Sequence, residues 1–437
     1  MHPETETPTA AEANTYYAIA RRDVPSIYRP HPEEIERVWQ ILDEAEDQTK
    51  RKVVRRLRTP SRFKKFLAHW DVRLRYGIHW RKGLSYQIRV ASRYIKTFFY
   101  KLFSPNKHIF RGIEFGLTFQ CNFKCHHCLC ARIDETETKK ELEPDEYERV
   151  VKDAMKLGAH TFGMEGGEPF VHKNWQEILR RMQPRRNHIV ISTNAYLIDD
   201  NVARACAEIG VDTLNISLDS GVRELHDVFR RRRGAYDRVM RALDLCKKYK
   251  IKVKVMLNTV VYRSNLYTRG LIDLLEFADK NRYLVNILFA KGVGAFKDMN
   301  EMLSAEDFAA FFEIAAPYKY WHIHHMGVLK SNHGGEGCSG VKEFVNMTPY
   351  GDVINCANNH IYLGNVREEP FAAIRERAIR ESPFGRYRPC FLTMDEDFKK
   401  VYYPILESRG WVTLDEFRDA LRAYERENGR KVYPELP

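Results

Sequence analysis

Six short apolar or β-branched runs, at 113–118, 160–165, 188–193, 213–218, 252–259 and 283–289, are each followed by an amphipathic helical stretch. Those stretches lie near 144–157, 174–183, 199–209, 236–249, 268–280 and 304–315. A strand that follows a helix in the same sheet runs parallel to its predecessor through a right-handed crossover, so six βα units in sequence predict a barrel or an open α/β sheet. The first helix opens on Pro144, Asp145 and Glu146. Proline loses no hydrogen bond in a first turn, and carboxylates there face unpaired amides.

The flanks have a different texture. Pro25, Pro30 and Pro32 break up residues 1–35, and helical patterns follow at 33–58 and 60–77. Leu84, Ile88, Ala91, Ile95, Phe98 and Leu102 recur at helical spacing, with Arg89, Arg93, Lys96 and Lys101 off that stripe. Beyond 320 the pattern is irregular and a charged helix is expected over 413–428. The expected division is a basic helical extension over 1–108, a barrel over 109–320, a Cys-containing auxiliary domain over 321–400 and a helical tail over 401–437.

The N-terminus begins with Glu4, Thr5, Glu6 and Thr7 instead of a basic then apolar segment, and no run approaches the roughly 20 apolar residues of a membrane span. A cytoplasmic protein is expected. Nine cysteines, three of them crowded into 121–128, then point to metal in preference to disulfides.

That trio, Cys121-Asn-Phe-Lys-Cys125-His-His-Cys128, follows the first expected strand. Thiolates are the usual ligands of iron–sulfur clusters, and three of them on a cubane leave one iron open to a bidentate ligand. A tetrahedral zinc site is the alternative; it needs a fourth ligand, which His126 or His127 would supply only in awkward geometry. Cys130, Cys206 and Cys246 read as buried structural thiols.

The spacing, and the strand it follows, resemble the radical S-adenosylmethionine (SAM) superfamily. Four further features match in order. Gly166-Gly167-Glu168-Pro169 resembles the segment that receives the SAM ammonium group. Ser192-Thr193-Asn194 ends the third strand, with Ala195 where the family often has Gly. Ser217-Leu218-Asp219 resembles the ribose-contacting segment, and His226-Asp227-x-x-Arg230 the stretch whose Arg faces the SAM carboxylate. His127 stands where an aromatic residue usually packs on adenine, and its imidazole is expected to stack there and to respond to pH. Asn258 and Asn265, then Gly292 and Gly294, stand where relatives line the ribose and adenine, with weaker specificity.

The resemblance implies a partial (β/α)6 TIM-type barrel. It implies an enzyme that reductively cleaves SAM at a 4Fe–4S cluster on Cys121, Cys125 and Cys128, and whose 5′-deoxyadenosyl radical takes hydrogen from a substrate. It also implies a small reductase, flavodoxin or ferredoxin, as electron donor. Cys338, twelve residues, Gly351, four residues and Cys356 resemble the opening of SPASM and twitch extensions. With Cys390 they would hold one auxiliary cluster, its fourth ligand being His360, Asp395 or a substrate atom. A non-enzymatic iron–sulfur or zinc protein on the same scaffold is the other class, and it would not cleave SAM.

From Arg51 to Gly112 there are 18 Lys/Arg and one acid, Asp71; that stretch holds +17 and the remainder −5 of the net +12. An anionic membrane surface, RNA, or solvated charges around a helix packed on the barrel would each account for it. The lipid surface is preferred, nucleic acid is not expected, and the chain would then sit on the cytoplasmic face of the membrane. The substrate is read as a lipid or isoprenoid from the N-terminal region, or as a peptide from the SPASM likeness.

Overall fold

The computed structural model describes residues 82–103, 110–130, 139–249, 254–294, 301–323, 338, 340–386, 390–434 and 436. The helical patterns expected at 33–58 and 60–77 lie outside them.

Helix α1 (Leu84–Phe103) precedes an alternation of strands and helices: β1 (Gly112–Thr118), α2 (Pro144–Lys156), β2 (Thr161–Gly166), α3 (Trp175–Arg181), β3 (His188–Thr193), α4 (Asp200–Ile209) and β4 (Thr213–Ser217). Then come α5 (Arg223–Arg230), α6 (Ala235–Lys248), β5 (Lys254–Val261), α7 (Arg269–Asn281), β6 (Leu284–Phe289), α8 (Ala305–Ala315) and β7 (Trp321–Ile323). The chain ends with β8 (Phe344–Met347), β9 (Asp352–Cys356), β10 (Asn359–Asn365), α9 (Phe371–Glu381), α10 (Glu396–Arg409), β11 (Val412–Thr413) and α11 (Leu414–Asn428).

All eleven strands form one open sheet in the order β11-β10-β9-β8-β1-β2-β3-β4-β5-β6-β7. Strands β1 to β7 are parallel, each paired with the next, as the βα alternation requires. This is the unclosed α/β barrel that the six units predict. Strand β8 lies parallel on the other side of β1, and the β9–β10 hairpin extends the sheet from there.

Side chains alternate between the two faces of a strand, and here they sort cleanly. Ile113, Phe115 and Leu117, Phe162 and Met164, Ile189 and Ile191, Leu214 and Ile216, and Val285 and Ile287 are buried against the helices. Each such side chain contributes on the order of 1.5–3 kcal/mol. The intervening positions face the inside of the barrel and are mostly polar or small: Glu114, Gly163, Glu165, Ser192, Asn215, Ser217, Asn258, Asn286 and Asn346. Cys206 and Cys246 are buried, as expected of structural thiols.

The stretch before α1 is anchored from below. The Lys82 ammonium lies 2.9 Å from the Asp212 carboxylate, both side chains 5% exposed, and also donates to the Asn187 carbonyl at 2.8 Å and to that of Pro184. Tyr86 is buried, while Leu84, Ile88, Ile95, Phe99 and Phe103 are exposed. Leu84, Ile88 and Ile95 of the apolar stripe therefore face solvent. Among the described residues no helix is long and apolar enough to cross a membrane.

Removing one member of a buried ion pair leaves a charge without compensation. Asp212→Ala should destabilise the chain by about 3–5 kcal/mol, read from its denaturant midpoint. Loss of 1 kcal/mol or less would show that Lys82 does not anchor the stretch before α1.

Candidate metal and cofactor site

The cysteine loop leaves the C-terminal end of β1, where a barrel gathers its ligands. Thr118 Oγ1 accepts from the Gln120 amide at 3.1 Å, turning the chain. Behind it, Gly167 N–H donates to the Thr118 carbonyl (2.7 Å) and Glu168 N–H to that of Gln120 (2.9 Å). Gly166 has φ +111°, and a Cβ on Gly167 would collide with the Gln120 carbonyl. On the opposite flank a Cβ on Gly294, at φ +59°, would collide with the Cys128 carbonyl. These glycines thus serve close packing of one backbone on another.

Glu168 has no exposed surface. Its carboxylate accepts from Thr193 Oγ1 (2.7 Å), Asn194 N–H (2.8 Å) and Phe170 N–H (3.3 Å). Burial pushes it up to about 7, against the opposing effect of those bonds. Asn194 Nδ2 in turn donates to Asn122 Oδ1 (2.8 Å) and lies 3.9 Å from Cys121 Sγ. Ala195 takes φ +62°, the left-handed conformation that explains the glycine often found there in the family the sequence resembles.

Asp219 and Arg230, separate motifs in the sequence, meet as a buried ion pair with Nε 2.6 Å from Oδ2. Asp219 Oδ1 accepts from Val260 N–H (3.1 Å), and Arg230 Nη1 reaches Cys125 Sγ at 3.8 Å. His226 Nδ1 accepts from Asp219 N–H (3.2 Å). Asp227 accepts from the amides of Gly234 (2.6 Å) and Tyr236 (2.8 Å), joining α5 to α6. Helix α5 itself, which carries this motif, was not anticipated as an element.

His127 stacks on Phe229 (4.6 Å between centroids, 5° between planes), which stacks on Tyr262 (4.7 Å, 10°). Burial first, then Arg230 and the neighbouring histidines, holds its imidazole well below the usual range. That direction runs against a response of His127 to pH near neutrality. Ser217 and Asn258 are register partners on β4 and β5, and Asn258 Oδ1 accepts from Asn286 Nδ2 (2.9 Å). Ser192 Oγ lies 3.4 Å from Asn215 Nδ2. Asn265 is spent locally, bonding the Tyr262 amide and the Val260 carbonyl at 2.9 Å each.

The three thiols differ in acidity. Burial, then Cys125, raises Cys121 beyond its ordinary range, and burial, partly offset by Arg230, pushes Cys125 up to about 11. A hydrogen bond with Cys130 brings Cys128 down to about 7 despite burial. Among the described residues no three His, Cys, Asp or Glu side chains converge on a single metal ion. A cubane takes each thiolate on a separate iron. Three soft donors on one loop, with a guanidinium beside one sulfur to stabilise negative charge, suit such a cluster.

A second group of thiols lies across the sheet's junction. Burial, then the nearby Cys356 and Cys390, raises Cys338 to about 12; burial raises Cys356 to about 11 while Lys291, just after β6, opposes it. The structure thus brings Cys338, Cys356 and Cys390 into electrostatic reach of one another. Asp395 is engaged elsewhere, accepting from Phe398 N–H (2.9 Å) and Tyr433 Oη (2.8 Å). His360 is buried, and its amide donates to Tyr402 Oη (2.9 Å).

An open parallel barrel with a three-thiol loop at its C-terminal rim defines an α/β enzyme scaffold built for a metal cofactor. Residues 116–273 match the family model of the radical SAM superfamily. The chain is 29% identical over 301 residues to Fe-coproporphyrin III synthase of Methanosarcina barkeri, covering 60% of this chain and 72% of that protein. It is 27% identical over 295 residues to the AdoMet-dependent heme synthase of the same organism, covering 61% and 82%. A GTP 3',8-cyclase of Synechocystis is 30% identical over 186 residues, covering 42% of this chain and 55% of that one. Among solved structures, Streptococcus suis SuiB bound to S-adenosylmethionine superposes with a TM-score of 0.52 over 72% of this chain and 76% of that one, at 18% identity. Residues 116–273 therefore carry a radical SAM domain, and such a domain implies an enzyme with a 4Fe–4S cluster and SAM as cofactors.

Glu168→Gln would leave one of the two carboxylate oxygens replaced by a donor facing donors, in a site with no water access. It should cost about 1–3 kcal/mol, measured as a lowered denaturant midpoint of the chain without cofactors. An unchanged midpoint would mean that the carboxylate does not join β2 to β3.

Proposed function

We propose that Cys121, Cys125 and Cys128 hold the SAM-binding 4Fe–4S cluster, with SAM lying over the ends of β2 to β5. The observation that carries this is the convergence of the Glu168, Asn194, Arg230 and Gly294 segments on one thiol loop. Cys121, Cys125 and Cys128 would hold a cluster that, once reduced by an external donor, would pass one electron to the sulfonium bond of SAM, and methionine and a 5′-deoxyadenosyl radical able to take a hydrogen atom from the substrate would result. The chain's own part is positional. Asn194, through Asn122, orients the Cys121 side of the loop, while Arg230 stabilises negative charge at Cys125 Sγ. Asp219 keeps that guanidinium in place. Gly166 and Gly167, Ser192, Ser217 and Asn258 line the proposed SAM path, and His127, buttressed by Phe229, presents an imidazole pushed toward its neutral form. Holding the substrate carbon beside the radical and keeping water out is the remaining task of the barrel interior.

Cys338, Cys356 and Cys390 are proposed to hold one auxiliary cluster that accepts an electron or binds substrate, with His360 or a substrate atom as fourth ligand, since Asp395 is bonded elsewhere. Exposure of Leu84, Ile88, Ile95, Phe99 and Phe103 on a helix that also carries Lys and Arg supports a peripheral position on anionic lipid. The donor of the electron would be a flavodoxin or ferredoxin.

Anaerobically reconstituted protein with dithionite and SAM should yield 5′-deoxyadenosine, and a Cys121/Cys125/Cys128→Ala variant should yield none. Retention of product in that variant, or zinc in place of iron in the wild type, would refute the assignment. Replacing Cys338, Cys356 and Cys390 by Ala should remove about half of the iron and sulfide, as expected when one of two cubanes is lost; an unchanged count leaves the protein with one cluster. Co-sedimentation with phosphatidylserine vesicles should fall when Ile88, Ile95 and Phe99 are replaced by Ser. Equal sedimentation would remove the lipid surface as α1's partner.

A further inference from the structure

Two carboxylic acids face the inside of the barrel from adjacent strands, beside the cysteine loop. Glu114 lies on β1, with Asn346 of β8 as its register partner on one side and Gly163 of β2 on the other. A Cβ at Gly163 would press on the Glu114 side chain at 3.2 Å, so the missing methyl is what lets that side chain lie over β2. Glu165 is one inward position further along β2. The single amide of Asn346 donates to both acids, at 3.2 Å to Glu114 Oε2 and more closely to Glu165 Oε1. The structure records no other partner among the described residues for their remaining oxygens.

The inward positions of the other strands want donors too. Asn286, 2% exposed on β6, gives its Nδ2 to Asn258 but leaves its buried Oδ1 without a partner. Asn215 on β4 likewise leaves a buried Oδ1 unpartnered. Buried amide oxygens are ordinarily bonded, and an unmet one marks a place where a ligand's N–H fits. Burial pushes Glu165 up to about 8, with Glu114 adding to the shift, and raises Glu114 as well. That is the state of two acids deprived of a counter-ion.

We propose that Glu114, Glu165 and Asn346 form a substrate site inside the barrel for a cationic nitrogen group, an ammonium or guanidinium carried by the substrate. The proposal rests on the radical SAM reading and narrows its substrate class. It favours a peptide or other compound bearing a basic nitrogen near the reacting carbon over a lipid with no such group, and over substrates that would lead with a carboxylate or phosphate. Two acids held by one bridging amide, once ionised, offer a planar guanidinium or a compact ammonium charge-assisted hydrogen bonds. The amide oxygens of Asn286 and Asn215 would take further N–H groups.

The test uses the full chain, anaerobically reconstituted and saturated with SAM, titrated calorimetrically with butylguanidinium, butylammonium, butyrate and butyl phosphate. The two cations should bind in preference to both anions. Glu114→Gln and Glu165→Gln, which keep shape and remove charge, should each weaken cation binding about tenfold or more, the scale of one hydrogen bond to a charged group. Cation binding unchanged in the double Gln variant, or a wild type that prefers either anion, overturns the site. The wild-type preference decides the matter by itself should the variants fail to fold. Formation of 5′-deoxyadenosine is measured on the same wild-type sample. Protein that cleaves SAM but prefers anions sinks the acid pair alone, whereas protein that cleaves none sinks the radical reading whatever the probes do.

Discussion

The three hydrogen bonds accepted by Glu168 are what the cysteine loop depends on. They run to Thr193, Asn194 and Phe170, so one carboxylate with no exposed surface joins the ends of β2 and β3. From there Asn194 reaches forward to Asn122 and Cys121. Glycines at 166 and 167 bring the same backbone onto Thr118 and Gln120. Burying a carboxylate is costly unless its lone pairs are met. Here they are met by groups whose positions the site needs, so desolvation and geometry are coupled in one residue.

Charge in the site follows the same logic. Asp219 compensates Arg230 in a nearly dry environment, and Arg230 then extends its guanidinium to Cys125. The pair orients a cation whose task is to steady a thiolate. Arg suits this because its fixed fork can serve a carboxylate and a sulfur at once. Burial and that same Arg230 push the nearby imidazoles toward the neutral form, while Lys124, within the loop, adds its positive charge at Cys128.

Beyond the barrel, the sheet continues through β8 to β11, so Cys356, at the end of β9, is carried on a strand hydrogen-bonded through β8 to β1. Asn346 shows the consequence. It belongs to the C-terminal part of the chain, yet it bridges Glu114 and Glu165 inside the barrel. The acid pair and Cys356 are thereby tied together through β8. At the other end, α1 keeps Tyr86 inward and Leu84, Ile88 and Ile95 outward, an orientation that periodicity does not choose.

Much of this was legible in the chain itself. The six strands and their helices fall within a residue or two of where alternation put them, because period 2 and period 3.6 are properties of local sequence. The Cys-x3-Cys-x2-Cys trio and the motifs that resemble radical SAM enzymes were likewise visible as strings. Helix α5, strands β7, β8 and β11, and helix α10 were not anticipated; the strands are short, and their pairing supplies what their sequences lack. The meaning of single residues also waited on the fold. Glu168 clamps two strands, Asp219 and Arg230 serve each other, and Glu114 meets Glu165 and Asn346 across 232 positions of chain at the widest. Periodicity and motif spacing are local and can be read along the chain; which carboxylate meets which donor is decided only when distant strands are laid side by side and water is excluded between them.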